Sequence, residues 1–170
     1  VGPLALVVET PLERLRIRCD DTESGLHCDL VFTAFIPAHE EPRFVRRQGS
    51  QLGMDLTRMM QNGSWSGTLV VDGQTYHLTD DRFIGTRDRS WGLRNIGAPD
   101  AQPNPGAGNV QFYWIWAPMN FEDFSIHYFV NQDEAGDAWN ENAVLIPKLG
   151  GGPERQMKSY SYDCCYESGT

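Results

Sequence analysis

The feature that most limits the fold is a two-residue alternation of apolar and polar side chains that recurs along most of the chain. In Arg14-Leu15-Arg16-Ile17-Arg18-Cys19 it is strict. An extended strand there puts Leu15, Ile17 and Cys19 on one face and an arginine ladder on the other. Leu4-Ala5-Leu6-Val7-Val8 reads as a short strand ahead of it and residues 20–25 as the turn behind it. Residues 26–36 return, with Leu26, Cys28, Leu30 and Phe32 on one face. Segments 66–71 and 74–78 flank Asp72-Gly73, a two-residue hairpin signal whose residues tolerate positive φ. Further strands are expected over 83–91, 110–117, 124–131, 143–146 and 156–162. In the strand at 110–117, Phe112, Trp114 and Trp116 share one face, and Tyr113 and Ile115 the other. Pro37, Pro42 and Gly49 mark 37–50 as a loop, and Pro99, Pro103 and Pro105 mark 95–108 as a long loop or lid. Only 49–60 hints at a helix. About nine or ten strands at near-regular spacing predict an all-β fold, an antiparallel barrel or sandwich.

Charge narrows the partners. The 170 residues hold 14 Lys and Arg against 23 Asp and Glu, a net charge of -9. Phosphate backbones need concentrated basic side chains, so no nucleic-acid partner is expected. The adjacent pair Arg46-Arg47 reads as part of a solvated loop. Mean hydropathy is -0.45, and no stretch approaches the roughly eighteen apolar residues of a membrane-spanning helix. The cysteines, Cys19, Cys28, Cys164 and Cys165, make no C-x-x-C pair, which argues against a zinc knuckle or a thioredoxin-type site. Cys19 and Cys28 fall on the apolar alternation and read as small core residues. Reduced thiols of this kind point to a cytoplasmic protein. The chain opens at Val1 and closes on Ser168-Gly169-Thr170, and the expectation is a segment of something longer.

Chemistry concentrates in Gly85-Thr86-Arg87-Asp88-Arg89-Ser90-Trp91-Gly92-Leu93-Arg94. Extended, this run sends Arg87, Arg89 and Trp91 to one face and Asp88 and Ser90 to the other. A guanidinium stacks well on an indole, and Asp88 can accept a bidentate arginine contact. Such a cluster either closes a barrel end or lines a pocket. Two neighbouring guanidinium groups favour the charged form of Asp88, which suits stabilisation of a carbocation better than proton donation. The competing reading of Asp88 is a structural ion pair.

Other candidates are weaker. His27, His39, His77 and His127 show no H-x-x-x-H spacing, so no dedicated metal site is expected. His127 lies on the face of Ser125 and Phe129. It is either a satisfied core histidine or a cavity-facing general acid for adding water to an alkene. His39, in a Pro-flanked acidic loop, is expected at the surface, and Asp80-Asp81 in a turn. Ser90 lacks a G-x-S-x-G elbow, and Gly150-Gly151-Gly152 lacks the lysine of a phosphate loop.

The run Gly67-Thr68-Leu69-Val70-Val71-Asp72-Gly73-Gln74-Thr75-Tyr76 precedes Gly85-x-Arg87-Asp88-x-Ser90-Trp91-Gly92-x-Arg94. An aromatic strand and Ser125-Ile126-His127-Tyr128-Phe129 follow. This order resembles the lipocalin-like superfamily that includes carotenoid 1,2-hydratases (hydroxyneurosporene synthases) and AttH-like proteins, over about residues 10–147. It resembles more closely a bacterial branch with an R-D-[HR]-S-W-G signature. The resemblance implies two lipocalin-like barrels in one longer chain. Residues 1–36 would finish the first barrel, 37–64 would connect, and 65–170 would begin the second. Relatives include enzymes that hydrate, isomerise or cyclise isoprenoid and polyketide chains without metal or nucleotide, beside members with no established activity. Where many branch members carry His, this chain has Arg89, which cannot cycle protons near neutral pH.

The functional expectation is a barrel cavity for a large hydrophobic small molecule of terpenoid, steroid or polyketide type. An enzyme of this kind is a cofactor-independent lyase or isomerase. Asp88 would stabilise positive charge, Tyr113 or His127 would move a proton, and Trp114 and Trp116 would hold cationic intermediates. A carrier would use the same aromatics and Trp91 for grip, with Arg87 or Arg89 on the ligand's polar end. A scaffold would use the aromatic strand as an interdomain face. A second copy of the chain is the protein partner considered.

Overall fold

The computed structural model describes residues 2–21, 23–48, 51–93, 113–163 and 165. Their regular elements are all β-strands, paired antiparallel in two open sheets. None of them is a helix long and apolar enough to cross a membrane.

The larger sheet begins as a meander of β1 (Leu4–Thr10), β2 (Arg14–Asp21) and β3 (Leu26–Ala34). The alternation read in β2 holds. Its arginines face outward, where Arg14 and Arg16 bind Glu9 at 2.8 and 2.6 Å and Arg16 also binds Asp29 at 2.7 Å. Leu15 and Phe32 share the opposite face in register. There the rings of Phe32 and Trp65 meet edge to face with centroids 5.2 Å apart.

Two short strands, β4 (His39–Glu40) and β5 (Phe44–Gln48), then run along the edge of β6 (Gln51–Val71), a strand of 21 residues. The loop expected over 37–50 is therefore partly strand, and the described part of the helix hinted at 49–60, from Gln51 on, is strand. The reason is visible in β6 itself. In its first half the even residues Met54, Leu56, Met60 and Asn62 face the second sheet; beyond Gly63 the apolar positions are the odd ones, Trp65 and Leu69. That change of phase breaks the two-residue period which a sequence reading depends on. β6 also runs without interruption through the junction placed at 64 and 65.

β6 pairs on one side with β3, β4 and β5 in turn. On the other side it pairs with β7 (Gln74–Leu78) and β8 (Ile84–Leu93). Asp72 and Gly73 join β6 to β7 with φ of 50° and 77°, the primed turn that the Asp-Gly pair predicts. Gly67 has φ +123°, and a Cβ there would stand 2.1 Å from the Asp29 carbonyl oxygen, so only glycine lets β3 approach.

The smaller sheet has the order β12 (Arg155–Gln156), β11 (Ala138–Pro147), β10 (Phe124–Gln132) and β9 (Tyr113–Asn120). The strand expected over 156–162 is confined to its start. Beyond it the chain lies on the outer face of β10, where Tyr160 and Tyr162 contact Tyr128. The inner face packs on the larger sheet through Ile36, Val144 and Ile146, all at most 1% exposed. The lid at 95–108, Arg94, Phe112 and Cys164 lie outside the described residues.

Candidate functional site

Between the two sheets, where the first half of β6 faces β9 and β10, lies a cleft of about 170 Å³. Its walls are largely apolar: Pro42, Phe44, Met54, Leu56, Trp114 and Phe129, with Glu41, Arg58, Asn131 and Asn140 as polar members. That volume is below the roughly 300–1,000 Å³ of a typical small-molecule pocket, so it has room for one end of a large ligand.

Its chemical centre is Glu41, 5% exposed. The Glu41 backbone NH donates to the Arg58 carbonyl at 2.9 Å, continuing the β4–β6 ladder and turning the side chain inward. The Trp116 indole NH donates to Oε1 at 3.3 Å and Arg58 donates to Oε2 at 3.4 Å. Burial pushes the carboxyl above the ordinary glutamate range, against the lowering pull of Arg58 and of the indole hydrogen bond. Arg58 lies over the Trp114 ring at 5.4 Å and reaches Asp88 at 3.7 Å, an ion pair rather than a hydrogen bond. One guanidinium thus stands between two carboxylates and an indole face.

Deeper in the same interface is a chain of buried polar groups. Asn62, fully buried, donates from Nδ2 to Asn120 Oδ1 at 2.6 Å, an acceptor shared with the Ser125 hydroxyl at 2.9 Å. Its own Oδ1 accepts from the Thr86 hydroxyl at 3.0 Å and lies 3.2 Å from His127 Nε2. Asn62 therefore knits β6, β8, β9 and β10 together. Burial, reinforced by nearby His39, lowers the pKa of His127 to about 3, so the ring is neutral near pH 7 and carries its proton on the nitrogen facing Asn62. His39 is not at the surface: it is 4% exposed and bound through Nδ1 to Glu154 at 2.8 Å. The short strand β4, unrecognised in the sequence, carries it inward. Among the described residues no cluster of three or more His, Cys, Asp or Glu is arranged to hold a metal ion.

The residues singled out in sequence are thus divided. Asp88, Trp114 and Trp116 come together around Arg58 and Glu41. Asp88 takes Arg58 as its partner rather than Arg87 or Arg89, because alternation sends those two to the opposite face of β8. Arg89 does lie beside Trp91, 5.8 Å from its ring, but Trp91 is 47% exposed. Arg87 stands opposite Gln61 in register, with its Nε buried and without a partner among the described residues. Tyr113 shares the face of Gln132, away from Trp114. His127 belongs to the Asn62 network and is not part of the cleft wall. Glu41 and Arg58 were missed. The one signal for Glu41 is an acidic residue beside a proline, in a segment whose prolines and Gly49 predict a loop.

The model of a family of unknown function, DUF8625, matches the chain over residues 1–170. The chain belongs to that family. No curated protein and no solved structure matches it.

Proposed function

We propose that the inter-sheet cleft binds one end of a large hydrophobic small molecule, of terpenoid, steroid or polyketide type, and that Glu41 presents a carboxyl to a polar or unsaturated group on it. The observation that carries this reading is a buried glutamate with a raised pKa in a cleft whose apolar wall is Pro42, Phe44, Met54, Leu56, Trp114 and Phe129, with Arg58, Asn131 and Asn140 as the other polar members. A carboxylic acid in such surroundings can protonate an alkene carbon. The positive charge formed would rest against the Trp114 face, and water or proton loss would complete a hydration or isomerisation without a cofactor. Asp88 acts one step removed, holding Arg58 in place.

A non-catalytic carrier is the second reading. The contact of Arg58 with Glu41 at 3.4 Å favours it, since a paired carboxylate is a poor proton donor. As its fold family we propose the lipocalin-like superfamily, with these sheets as parts of its barrels. The antiparallel β1–β2–β3 meander and the sequence order around Arg87-Asp88-x-Ser90-Trp91-Gly92 support this.

Native mass spectrometry of the protein purified from its host tests binding: a co-purifying lipid-like mass is expected, and it should be lost in the Glu41→Gln, Trp114→Ala double variant. A ligand retained undiminished in that variant refutes the cleft. Once the ligand is known, Glu41→Gln alone separates the two readings. An enzyme loses turnover and keeps binding, whereas a carrier shows no turnover to lose.

A further inference from the structure

Below the cleft, His39 and His127 form a pair whose chemistry the cleft does not use. They come from different sheets, are 4% and 2% exposed, and their rings lie 6.0 Å apart at an inclination of 68°. Each ring has one nitrogen fixed by an acceptor. His39 Nδ1 is 2.8 Å from the Glu154 carboxylate, and His127 Nε2 is 3.2 Å from the Asn62 carbonyl oxygen. Carboxylates and carbonyls only accept, so in the neutral rings those nitrogens hold the protons. His39 Nε2 and His127 Nδ1 are left as lone pairs, both buried and without a hydrogen-bond partner among the described residues. A buried lone pair left without a partner is costly, and one guest bound by both rings would relieve the two together.

The arrangement matches how metal-binding imidazoles are held, with the outer nitrogen hydrogen-bonded to a carboxylate or carbonyl that sets tautomer and ring angle. With metal–nitrogen bonds of about 2 Å, two imidazoles on one ion place their centroids roughly 5–6 Å apart, which the pair meets. A third donor stands in register. Met60 faces His39 across the β4–β6 ladder and is 1% exposed.

We propose that His39, His127 and Met60 form a buried site for a single copper(I) ion, with Glu154 and Asn62 orienting the two imidazoles. Imidazole and thioether donors select soft copper(I), whereas magnesium, calcium and manganese prefer oxygen. All three donors are neutral, so a monovalent ion is less costly to bury than a divalent one. The Glu154 carboxylate balances its charge from beyond His39. The site is independent of what the cleft binds.

The test is competition between the full chain and a coloured copper(I) chelator, bathocuproine disulfonate, under ascorbate. One copper(I) per chain is expected, with a raised melting temperature. X-ray absorption should show a shell of two nitrogens and one sulfur. Met60→Leu, which keeps the buried volume, should weaken uptake about tenfold without moving the melting temperature of the metal-free chain. The double variant His39→Asn, His127→Gln should lose uptake altogether. A shell of sulfur alone would assign the metal to the cysteines and overturn the proposal. So would uptake of zinc(II) but not copper(I), retention in the double variant, or no metal at all.

Discussion

β8 carries two sets of side chains that live in different surroundings, although they alternate on one strand. Thr86 and Asp88 look toward the smaller sheet, where Thr86 is bonded to Asn62 and Asp88 is paired with Arg58. Arg87, Arg89 and Trp91 look the other way, and the Arg89–Trp91 contact is largely open to solvent. The conspicuous Arg89–Trp91 pair is exposed, while Arg87 beside it is half-buried. Thr86 meets the buried polar groups through which the two sheets recognise each other, with Asp88 at their solvent-facing rim. In a low-dielectric interface a hydrogen-bonded amide or hydroxyl has large consequences, while a cation–indole pair in water contributes little.

That contrast can be broken most forcefully at Asn62. Asn62→Leu leaves Thr86, Asn120 and His127 without their shared partner, and a loss of about 3–5 kcal/mol in urea unfolding is expected. A loss under about 1 kcal/mol would mean the network is dispensable and the two faces are equivalent.

The next largest effect is with pH. The unfolded chain protonates His127 near the ordinary value of 6.5, while the folded chain resists until about pH 3. Between those values the unfolded state binds the extra proton. This site's contribution is therefore undiminished above pH 6.5 and falls by up to about 1.4 kcal/mol per pH unit on acidification. Unfolding midpoints measured from pH 7 to 4 should show that slope in the wild type and a flatter one in His127→Gln; parallel slopes would sink the assignment.

A smaller change is expected at Asp88→Asn, which loosens Arg58. With Asp88 partly exposed and the ion pair 3.7 Å long, stability should fall by under about 1 kcal/mol. Affinity for the co-purified ligand should fall several-fold, and unchanged affinity would remove Asp88 from any positioning role. The smallest effect belongs to the outer face. Arg89→Ala should cost about 0.5 kcal/mol or less and leave ligand binding intact, and a binding defect there would return the site to the exposed cluster.

Much of the fold was legible. The strict alternation of β2, the Asp72-Gly73 hairpin and the apolar run of β10 each state their conformation locally, and the residues facing Leu15, Ile17 and Ser125 fall where period two puts them. Alternation also separated Asp88 from Arg87 correctly. It could not say which face would be covered, because that depends on β9 and β10, far along the chain. Glu41 and His39 were hidden for a related reason. β4 is two residues long and becomes a strand only because β6 lies beside it, so no local pattern marks it. The first half of β6 was hidden because the strand serves the cleft with one half and the meander with the other, in opposite phase.

The double service of β6 has a mechanical corollary. The meander and the cleft wall are built on opposite halves of one backbone rod, so neither can peel away without straining the other's ladder. New termini cut at the Asp72-Gly73 corner should therefore leave a chain that still assembles. The same cut between Gly63 and Trp65 should sever the molecule into halves that no longer hold their shape.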